Sequence, residues 1–405
     1  MSIRRVLEGG YCIGCGACCA LPEARWHMRL DPNGLYRPSD ENGHPAESSR
    51  PPQGADAVCP FSSPLTEPRL AAERYGGAAV DPLVGHYRAL WAGAVQGERS
   101  GSSSGGLATW VLTRLLASGA IDGVLHTAPV ADDPDGVLFR YRISRTPQEI
   151  AAGGGSHYYP SEYSRVLAQA RAEGGRYALV GLPCCIKAAR LLARHDPAWE
   201  HTIAYTIGLV CGHLKSTAFA QYLAWQLGVP PQELAALRFR VKRPDAPANR
   251  YAVRAIARDG SAHTAPAHTL RGTDWGQGWF KPRACDYCDD LAAETADLTC
   301  GDAWLPQYTA DPGGTNLLVV RHAGLQAMLQ AGAAEGALWL HPLTPADFRA
   351  AQGANVRHRR HALAWRLARC DAAGRWRPPK RTAPDAAAIG QIGRASCRER
   401  VYTKV

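Results

Sequence analysis

Residues 177–185 read Tyr-Ala-Leu-Val-Gly-Leu-Pro-Cys-Cys, and this stretch decides the fold. Its first four residues predict a short buried strand, the rest a loop, and residues 186–194 a helix. The pattern then repeats, because residues 205–210 predict a strand that ends directly in Cys211, and residues 216–227 predict another helix. Strands that alternate with helices indicate an α/β fold, whose sites lie in the loops after the strands.

The same alternation begins earlier in the chain. A loop of glycine and serine at residues 100–106 leads into a predicted helix at 107–116, and strands are predicted at 121–127 and 137–141. A later apolar stretch, residues 316–321, predicts another strand. The glycine and serine loop could cradle a phosphate, although it lacks the P-loop and dinucleotide signatures. The alternative is a flexible loop.

We expect a small N-terminal ferredoxin-like cluster unit followed by mixed α/β domains. Residues 1–65 are rich in Cys, Pro, Gly and Ser and predict a loop-rich unit that needs a ligand to hold it together. The α/β domains are predicted at 85–170 and 175–345. Residues 346–405 are expected to form a basic and partly disordered tail. The amino-acid pattern of residues 392–405 differs from that of the rest of the chain, which suggests that this end is not part of the native sequence.

Composition narrows the classes of function. The 405 residues carry a net charge of +10 and no apolar run that could span a bilayer or start a secretory signal, so we expect a cytoplasmic protein. Basic and aromatic residues do not alternate as they do in many nucleic-acid-binding proteins, so we do not expect nucleic acid as a partner. Thirteen cysteines in such a chain indicate metal or redox chemistry rather than disulfides.

The first set of cysteines has two gaps of two residues and a distant Cys-Pro, as in ferredoxins: Cys12, Cys15, Cys18 and Cys59-Pro60. Gly14 and Gly16 permit the tight turns that would wrap the backbone around a 4Fe-4S cluster. A zinc site is the alternative, since paired cysteines also suit tetrahedral zinc. The second short gap and the Cys-Pro favour the cluster. Cys19 is expected to be a bystander, because adjacent side chains rarely face the same cluster.

A second set of cysteines comes from three separate segments: Cys184 and Cys211 after predicted strands, and the pair Cys285 and Cys288. Spacing alone is weaker here, and buried structural thiols are the alternative. A Pro-Cys-Cys turn is nevertheless unusual for a core, and a C-x2-C pair commonly binds a metal or reacts. We therefore predict a second metal site.

Seven stretches in family order resemble the coenzyme F-420 hydrogenase/dehydrogenase beta-subunit family, which also contains 7-hydroxymethyl chlorophyll a reductase and the ferredoxin-dependent 8-vinyl reductase. They are Cys12 to Cys18 with Cys59-Pro60; Ser104-Gly105-Gly106-Leu107; Gly155-Ser156-His157-Tyr158 through Ser161; Gly181-Leu182-Pro183-Cys184; residues 208–211; Cys285 to Cys288; and residues 296–304. Together they span roughly residues 10–345.

The resemblance implies FAD and two 4Fe-4S clusters. It assigns an inner cluster near the flavin to Cys184, Cys211, Cys285 and Cys288, and leaves Cys12, Cys15, Cys18 and Cys59 for an outer one. It implies FAD contacts from two segments, Ser104, Gly105 and Gly106 in the first and Ser156, His157, Tyr158 and Ser161 in the second. Three residues depart from the family pattern: His157 replaces a lysine, Cys185 a polar residue and Cys300 a small apolar residue. Asp302 and His213 could support neighbouring ligands or take part in catalysis.

The function that we expect is electron transfer between a one-electron carrier such as ferredoxin and a small organic substrate at FAD. The alternatives are a non-catalytic electron-transfer subunit of a larger redox complex and, less favoured, a zinc-binding scaffold. Coenzyme F-420, a tetrapyrrole and a nucleotide-sugar-related compound remain open as substrates, and so does assembly into a homo-oligomer.

Basic residues cluster near the C-terminus: Arg357, Arg359, Arg360, Arg366, Arg369, Arg375, Arg377, Lys380 and Arg381. They predict an electropositive face, either an ordinary solvated helix or a docking surface for an acidic carrier.

Overall fold

The computed structural model describes residues 2–388 except 98 and 100. Its centre is an eight-stranded sheet in the order β15-β5-β14-β13-β9-β8-β6-β7. The strands of this sheet are β5 (Ala89–Val95), β6 (Gly123–Pro129), β7 (Phe139–Ser144), β8 (Tyr177–Gly181), β9 (Ile203–Leu209), β13 (Leu298–Asp302), β14 (Asn316–Val320) and β15 (Leu338–Pro342). The predicted α/β fold class is confirmed. Because one sheet holds strands from both predicted α/β domains, these segments share a core, and the division between them stays a prediction.

Strand direction places the important loops together. Strands β6, β8, β9 and β13 run parallel to one another, and β5 shares their direction because β14 is antiparallel to both β13 and β5. All five therefore end at one edge of the sheet, where α/β folds bind ligands.

Helices cover both faces of the sheet. They are α1 (Ile3–Glu8), α2 (Ala55–Val58), α3 (Glu67–Tyr75), α4 (Leu107–Ala117), α5 (Pro147–Ala152), α6 (Ser164–Glu173), α7 (Pro183–His195), α8 (Ala198–Thr202), α9 (Thr217–Gln226), α10 (Pro306–Thr309), α11 (Ala323–Ala334), α12 (Pro345–Ala351), α13 (Gly353–Arg357) and α14 (Leu363–Ala372). Val124 and Ala178 pack with α4 and α11, whereas the next residues, Leu125 and Leu179, pack with α6 and α7. This two-residue alternation buries both faces of the sheet.

Smaller sheets complete the molecule: a hairpin of β1 (His27–Leu30) and β2 (Tyr36–Ser39), a pair of β3 (Ala79–Asp81) and β4 (Gly85–Tyr87), and a three-stranded sheet of β10 (Leu234–Val241), β11 (Ala252–Ala257) and β12 (Ala262–Pro266). The three-stranded sheet packs against α9 through a core that includes Phe219 and Phe239. The N-terminal unit packs against α7, so it is fixed to the large sheet. In the described part of the chain, no helix has the length and apolar character needed to cross a bilayer.

One predicted boundary is wrong. We expected Cys184 and Cys185 in a loop, but α7 already begins at Pro183, so both cysteines lie in its first turn. Proline suits this position because its nitrogen has no hydrogen to leave unpaired at the start of a helix. The other predicted strands and helices are present with ends shifted by a few residues.

The basic C-terminal segment forms the predicted electropositive face only in part. Arg359 is 1% exposed, the side chain of Lys380 contacts Asp289 at 3.4 Å, and Arg381 pairs with Glu294. These cations neutralise acidic groups inside the protein, because charges that leave water must be paired. Arg357, Arg369 and Arg375 are exposed. The prediction for residues 392–405 lies outside the described residues.

Candidate functional site

The cysteines of the predicted inner set meet at the edge of the sheet where the parallel strands end. Cys184 follows β8, Cys211 follows β9, and Cys285 lies in a short 3-10 helix, Arg283–Tyr287, that Cys288 terminates. All four line one pocket that encloses about 320 Å³ of empty space, including the part open to solvent. The structure thus brings together four thiols from three segments. That they bind metal stays a prediction.

Burial opposes the ionisation of two of these thiols, Cys285 and Cys211. Burial raises the pKa of Cys285 to about 12, although the N–H of Leu214 donates to its Sγ at 3.3 Å and opposes this shift. Burial also raises the pKa of Cys211 well above its usual value, against the influence of the nearby Arg359. Because metals bind thiolates rather than thiols, a metal here would displace protons on binding.

A second pocket, about 390 Å³ of empty space including its open part, is lined by the whole outer set: Cys12, Cys15, Cys18 and Cys59. The turns between these cysteines depend on glycine, as predicted. Gly14 has φ +71° and Gly16 has φ +89°, and a Cβ on Gly14 would lie 2.6 Å from the carbonyl oxygen of Tyr36. These two glycines therefore permit the turns that bring the cysteines to one pocket.

The two pockets are neighbours. Ile13 and Phe61 line both of them, so a single layer of apolar side chains separates the two sets of thiols. Within the described residues, no three Cys, His, Asp or Glu side chains are arranged as a ready site for a metal ion. The thiols instead surround the pockets.

The remaining described cysteines have other surroundings. The Sγ of Cys19 lies 4.0 Å from that of Cys18. Cys185 is 7% exposed and packs into the core from the buried face of α7, and Cys300 is buried on β13, where burial alone raises its pKa to about 12. The Sγ of Cys370 lies 2.9 Å from the hydroxyl of Tyr287. Cys300 is therefore a structural thiol in the sheet.

The two segments predicted to contact FAD lie side by side. The N–H of Ser156 donates to the hydroxyl of Ser103 at 2.7 Å, next to Ser104, Gly105 and Gly106. Gly106 has φ +81° and immediately precedes α4, so the loop ends at a helix N-terminus. Ser161 bonds to Thr127 of β6 at 2.9 Å. Both segments therefore lie at the edge where the parallel strands end. FAD contact by their residues stays a prediction.

Aromatic rings connect these segments with the inner pocket. The ring centroid of Tyr158 lies 4.7 Å from that of Trp275, which lies 4.5 Å from that of His213. His213 is two residues from Cys211, so the chain of rings runs from one predicted site to the other. Burial lowers the pKa of His157 to about 4, so His157 is neutral near pH 7 and carries no charge where the resemblance implies a lysine.

Sequence reasoning missed the lysine that does contact the glycine and serine loop. The Nζ of Lys242 donates to the carbonyl oxygens of Arg99 at 2.5 Å and Ser104 at 2.9 Å. Two residues earlier, Arg240 holds Asp302 through two bonds, at 2.7 and 3.0 Å. A signal was present in the sequence, because basic residues alternate at Arg238, Arg240 and Lys242, although an irregularity in the pairing of β10 with β11 between Arg238 and Val241 interrupts the two-residue period.

The other missed residue is Arg359, which lines the inner pocket. Its Nη2 donates to the carbonyl oxygens of Cys211 at 2.5 Å and Gly212 at 2.7 Å. Burial lowers its pKa, but Cys288, Cys211 and Cys285 outweigh burial and leave the pKa above its usual value. No pattern in the sequence indicates that one arginine of a basic run turns inward.

Comparison with known proteins finds two matching family models. The model described as coenzyme F420 hydrogenase/dehydrogenase, beta subunit N-term, matches residues 90–168, and the model for the C terminus of the same beta subunit matches residues 174–346. The coenzyme F420 hydrogenase subunit beta of Methanococcus voltae is 25% identical over 228 residues, which are 54% of this chain and 72% of that protein. Among solved structures, a xenon-derivatized F420-reducing NiFe hydrogenase complex from Methanosarcina barkeri has a similar fold. Its TM-score is 0.55 at 18% identity, over 74% of this chain and 99% of that one.

Proposed function

The chain belongs to the coenzyme F420 hydrogenase/dehydrogenase beta-subunit family, which is a family of redox proteins, and we propose that it is an iron–sulfur flavoprotein oxidoreductase. In this proposal it passes electrons between a one-electron carrier such as ferredoxin and a small organic substrate. The observation that carries the proposal is the pair of adjoining pockets, each lined by four cysteines.

The residues of both pockets fit 4Fe-4S clusters. Such a cluster binds each of four thiolates at a different iron, which suits thiols that surround a space. Backbone N–H groups point at the sulfurs, from Leu214 to Cys285 at 3.3 Å and from Gly14 to Cys12 at 3.4 Å. Hydrogen bonds of this kind help to set cluster potentials. We therefore assign Cys184, Cys211, Cys285 and Cys288 to the inner cluster and Cys12, Cys15, Cys18 and Cys59 to the outer one.

The chain's own residues would exclude water from both pockets and would keep the two clusters close to each other. Ile13 and Phe61 stand between the two pockets, and Leu182 and Leu214 add apolar walls to the inner one. Such walls exclude water and lower the local dielectric, which are features through which a protein tunes redox potentials.

For FAD we propose contacts from Ser104, Gly105, Gly106, Ser156, His157, Tyr158 and Ser161. The N-terminus of α4 and the ammonium of Lys242 place positive potential at the first segment, which suits a phosphate-bearing cofactor. A bound flavin would supply the exchange between one-electron and hydride chemistry. The rings of Tyr158 and Trp275 would link this site to the inner pocket.

The second candidate is a non-catalytic electron-transfer subunit of a larger redox complex. The names of the relatives favour it, because one is a subunit and the other a hydrogenase complex. Such a chain would hold the same cofactors but would need a partner for turnover. A homo-oligomer is a further arrangement that the proposal allows.

The proposed carrier is acidic, because the chain has a net charge of +10. Among the basic residues of the C-terminal segment, Arg357, Arg369 and Arg375 are exposed for such a contact. We propose the cytoplasm as the location, since reduced thiols are maintained there.

The test is to purify the chain anaerobically and to measure iron, zinc, flavin and the visible spectrum. We expect about eight irons per chain, four for each cluster, together with flavin bands. Zinc in place of iron, or the absence of flavin, contradicts the proposal. Turnover of the isolated chain with a reduced carrier then separates the enzyme from the non-catalytic alternative.

A further inference from the structure

Arg359 is buried without a carboxylate partner among the described residues. Its side chain is 1% exposed, and its Nε and Nη1 atoms have no hydrogen-bond acceptor in the described part of the chain. Only Nη2 is engaged, by the carbonyl oxygens of Cys211 and Gly212. Burying a guanidinium in this way is costly unless an anion compensates for it.

The surroundings of Arg359 identify where that anion belongs. Its side chain lines the inner pocket together with Cys184, Cys211, Cys285 and Cys288. The charge of Asp290 also acts on Arg359, but within the described residues its carboxylate accepts no hydrogen bond from Nε or Nη1 of Arg359 and instead accepts the N–H of Glu294 at 3.1 Å. The neighbouring basic residues have other partners; for example, the guanidinium of Arg360 donates a hydrogen bond to the carbonyl oxygen of Asp289. Two donors of Arg359 are therefore left for whatever occupies the pocket.

The backbone holds this arginine in place. Arg359 lies in a π-helical turn, His358–Ala362, between α13 and α14. π turns inside α-helical segments shift the side chains out of the usual register and are frequent at functional sites. Here Arg359 is buried, whereas Arg357, two residues earlier, is exposed.

We propose that Arg359 is a positioning residue of the inner site that supplies the positive charge opposite its four thiolates and makes the cluster there easier to reduce. This inference rests on the proposed function. One electron from a one-electron carrier would add one negative charge to a cluster held opposite the guanidinium, and no bond would form or break. A nearby fixed positive charge favours the more negative state, and strongly so where water is excluded.

The test uses the cofactor-loaded chain in the Cys15→Ala background, where the inner cluster is the remaining one. The midpoint potential is measured by a redox titration followed by electron paramagnetic resonance, together with iron content. Arg359→Gln should lower the ratio of reduced to oxidised cluster at a fixed potential at least tenfold, which is about 59 mV for a one-electron couple. Arg359→Lys, which keeps the charge, should restore most of the ratio. Arg357→Gln is the matched control and should leave it unchanged.

The outcomes separate the two proposals. If the parent holds no inner cluster, both the proposed function and this inference fail. If Arg359→Gln keeps its iron and its potential, the inference alone is overturned. If Arg359→Gln loses iron, Arg359→Lys decides: retained iron supports the need for positive charge, whereas iron loss in both variants overturns the inference, because the shape of the guanidinium then matters instead of its charge.

Discussion

Replacing Cys285 by alanine tests the inner site most directly, and Cys300→Ala provides a matched control. Both thiols are buried, at 7% and 4% exposure, and burial raises the pKa of each to about 12. They differ in what surrounds them. Cys285 faces a pocket with three further cysteines, whereas Cys300 packs in the core of the sheet beside Leu318.

The expected losses differ in kind and in size. Cys285→Ala removes one of four ligands, so iron should fall from about eight to about four per chain. A structural metal contributes on the order of 10 kcal/mol to folding, which is comparable with the total stability of a domain, about 5–15 kcal/mol. The variant should therefore melt well below the parent. Cys300→Ala leaves a cavity of about one buried methyl group, which costs about 1 kcal/mol, and should keep all its iron.

The assay combines iron analysis with thermal melting of anaerobically purified protein. Cys15→Ala should also lose about four irons, but with a smaller drop in melting temperature, because its set of ligands lies within the N-terminal unit and does not join three distant segments. Full iron content and parental melting in Cys285→Ala would refute the assignment of the inner site. Equal iron loss in Cys300→Ala would refute the distinction between the two thiols.

Three further predictions, the first again for Cys15→Ala, test the carrier route, the flavin site and the acid stability. Cys15→Ala should abolish turnover driven by reduced ferredoxin but spare flavin reduction by a small chemical donor, and in the parent the ferredoxin rate in stopped flow should fall as salt shortens the Debye length below about 10 Å. Lys242→Met should lower the flavin content of the purified protein at unchanged iron, because it frees the carbonyl oxygens of the glycine and serine loop. Burial opposes the ionisation of Asp297, but Arg190 and Arg74 outweigh it and hold its pKa at about 2. The ionised Asp297 thus stabilises the folded protein by about 2 kcal/mol above about pH 4, and this stabilisation is lost as the pH falls towards 2. In denaturant titrations across this range, the free energy of unfolding should fall less with decreasing pH in Asp297→Asn than in the parent.

The sequence predicted the α/β fold because local patterns and tertiary packing agree along most of the chain. The strand at residues 177–180 follows from an apolar run that is buried between two layers of helices, and the helix after it follows from the apolar residues that it packs against the sheet. The start of α7 was missed because Leu-Pro-Cys-Cys resembles a turn, whereas proline is equally suited to the first turn of a helix. Local patterns also could not predict that strands from both halves of the chain form a single sheet, because the pairing of β14 with β5 joins residues more than 200 positions apart.

The two predicted sets of cysteines also differ in whether local sequence is enough to predict them. The spacing of Cys12, Cys15 and Cys18 is local, so their shared pocket follows directly from the sequence and from the turns at two glycines. The convergence of Cys184, Cys211 and Cys285 depends on the order of strands, which spacing does not contain. Only the rule that parallel strands end at a common edge makes it predictable.

The basic C-terminal segment shows why charge alone is a poor guide to surfaces. A run of arginines predicts a solvated face because isolated cations rarely leave water. Here Asp289 and Glu294 lie buried beneath the segment, so Lys380 and Arg381 must turn inward to balance them. Arg359 turns inward with the same segment but meets thiols instead of carboxylates. Since balanced pairs account for its neighbours, the charge left unbalanced at Arg359 is the strongest physical reason to expect an anionic group between the four inner cysteines.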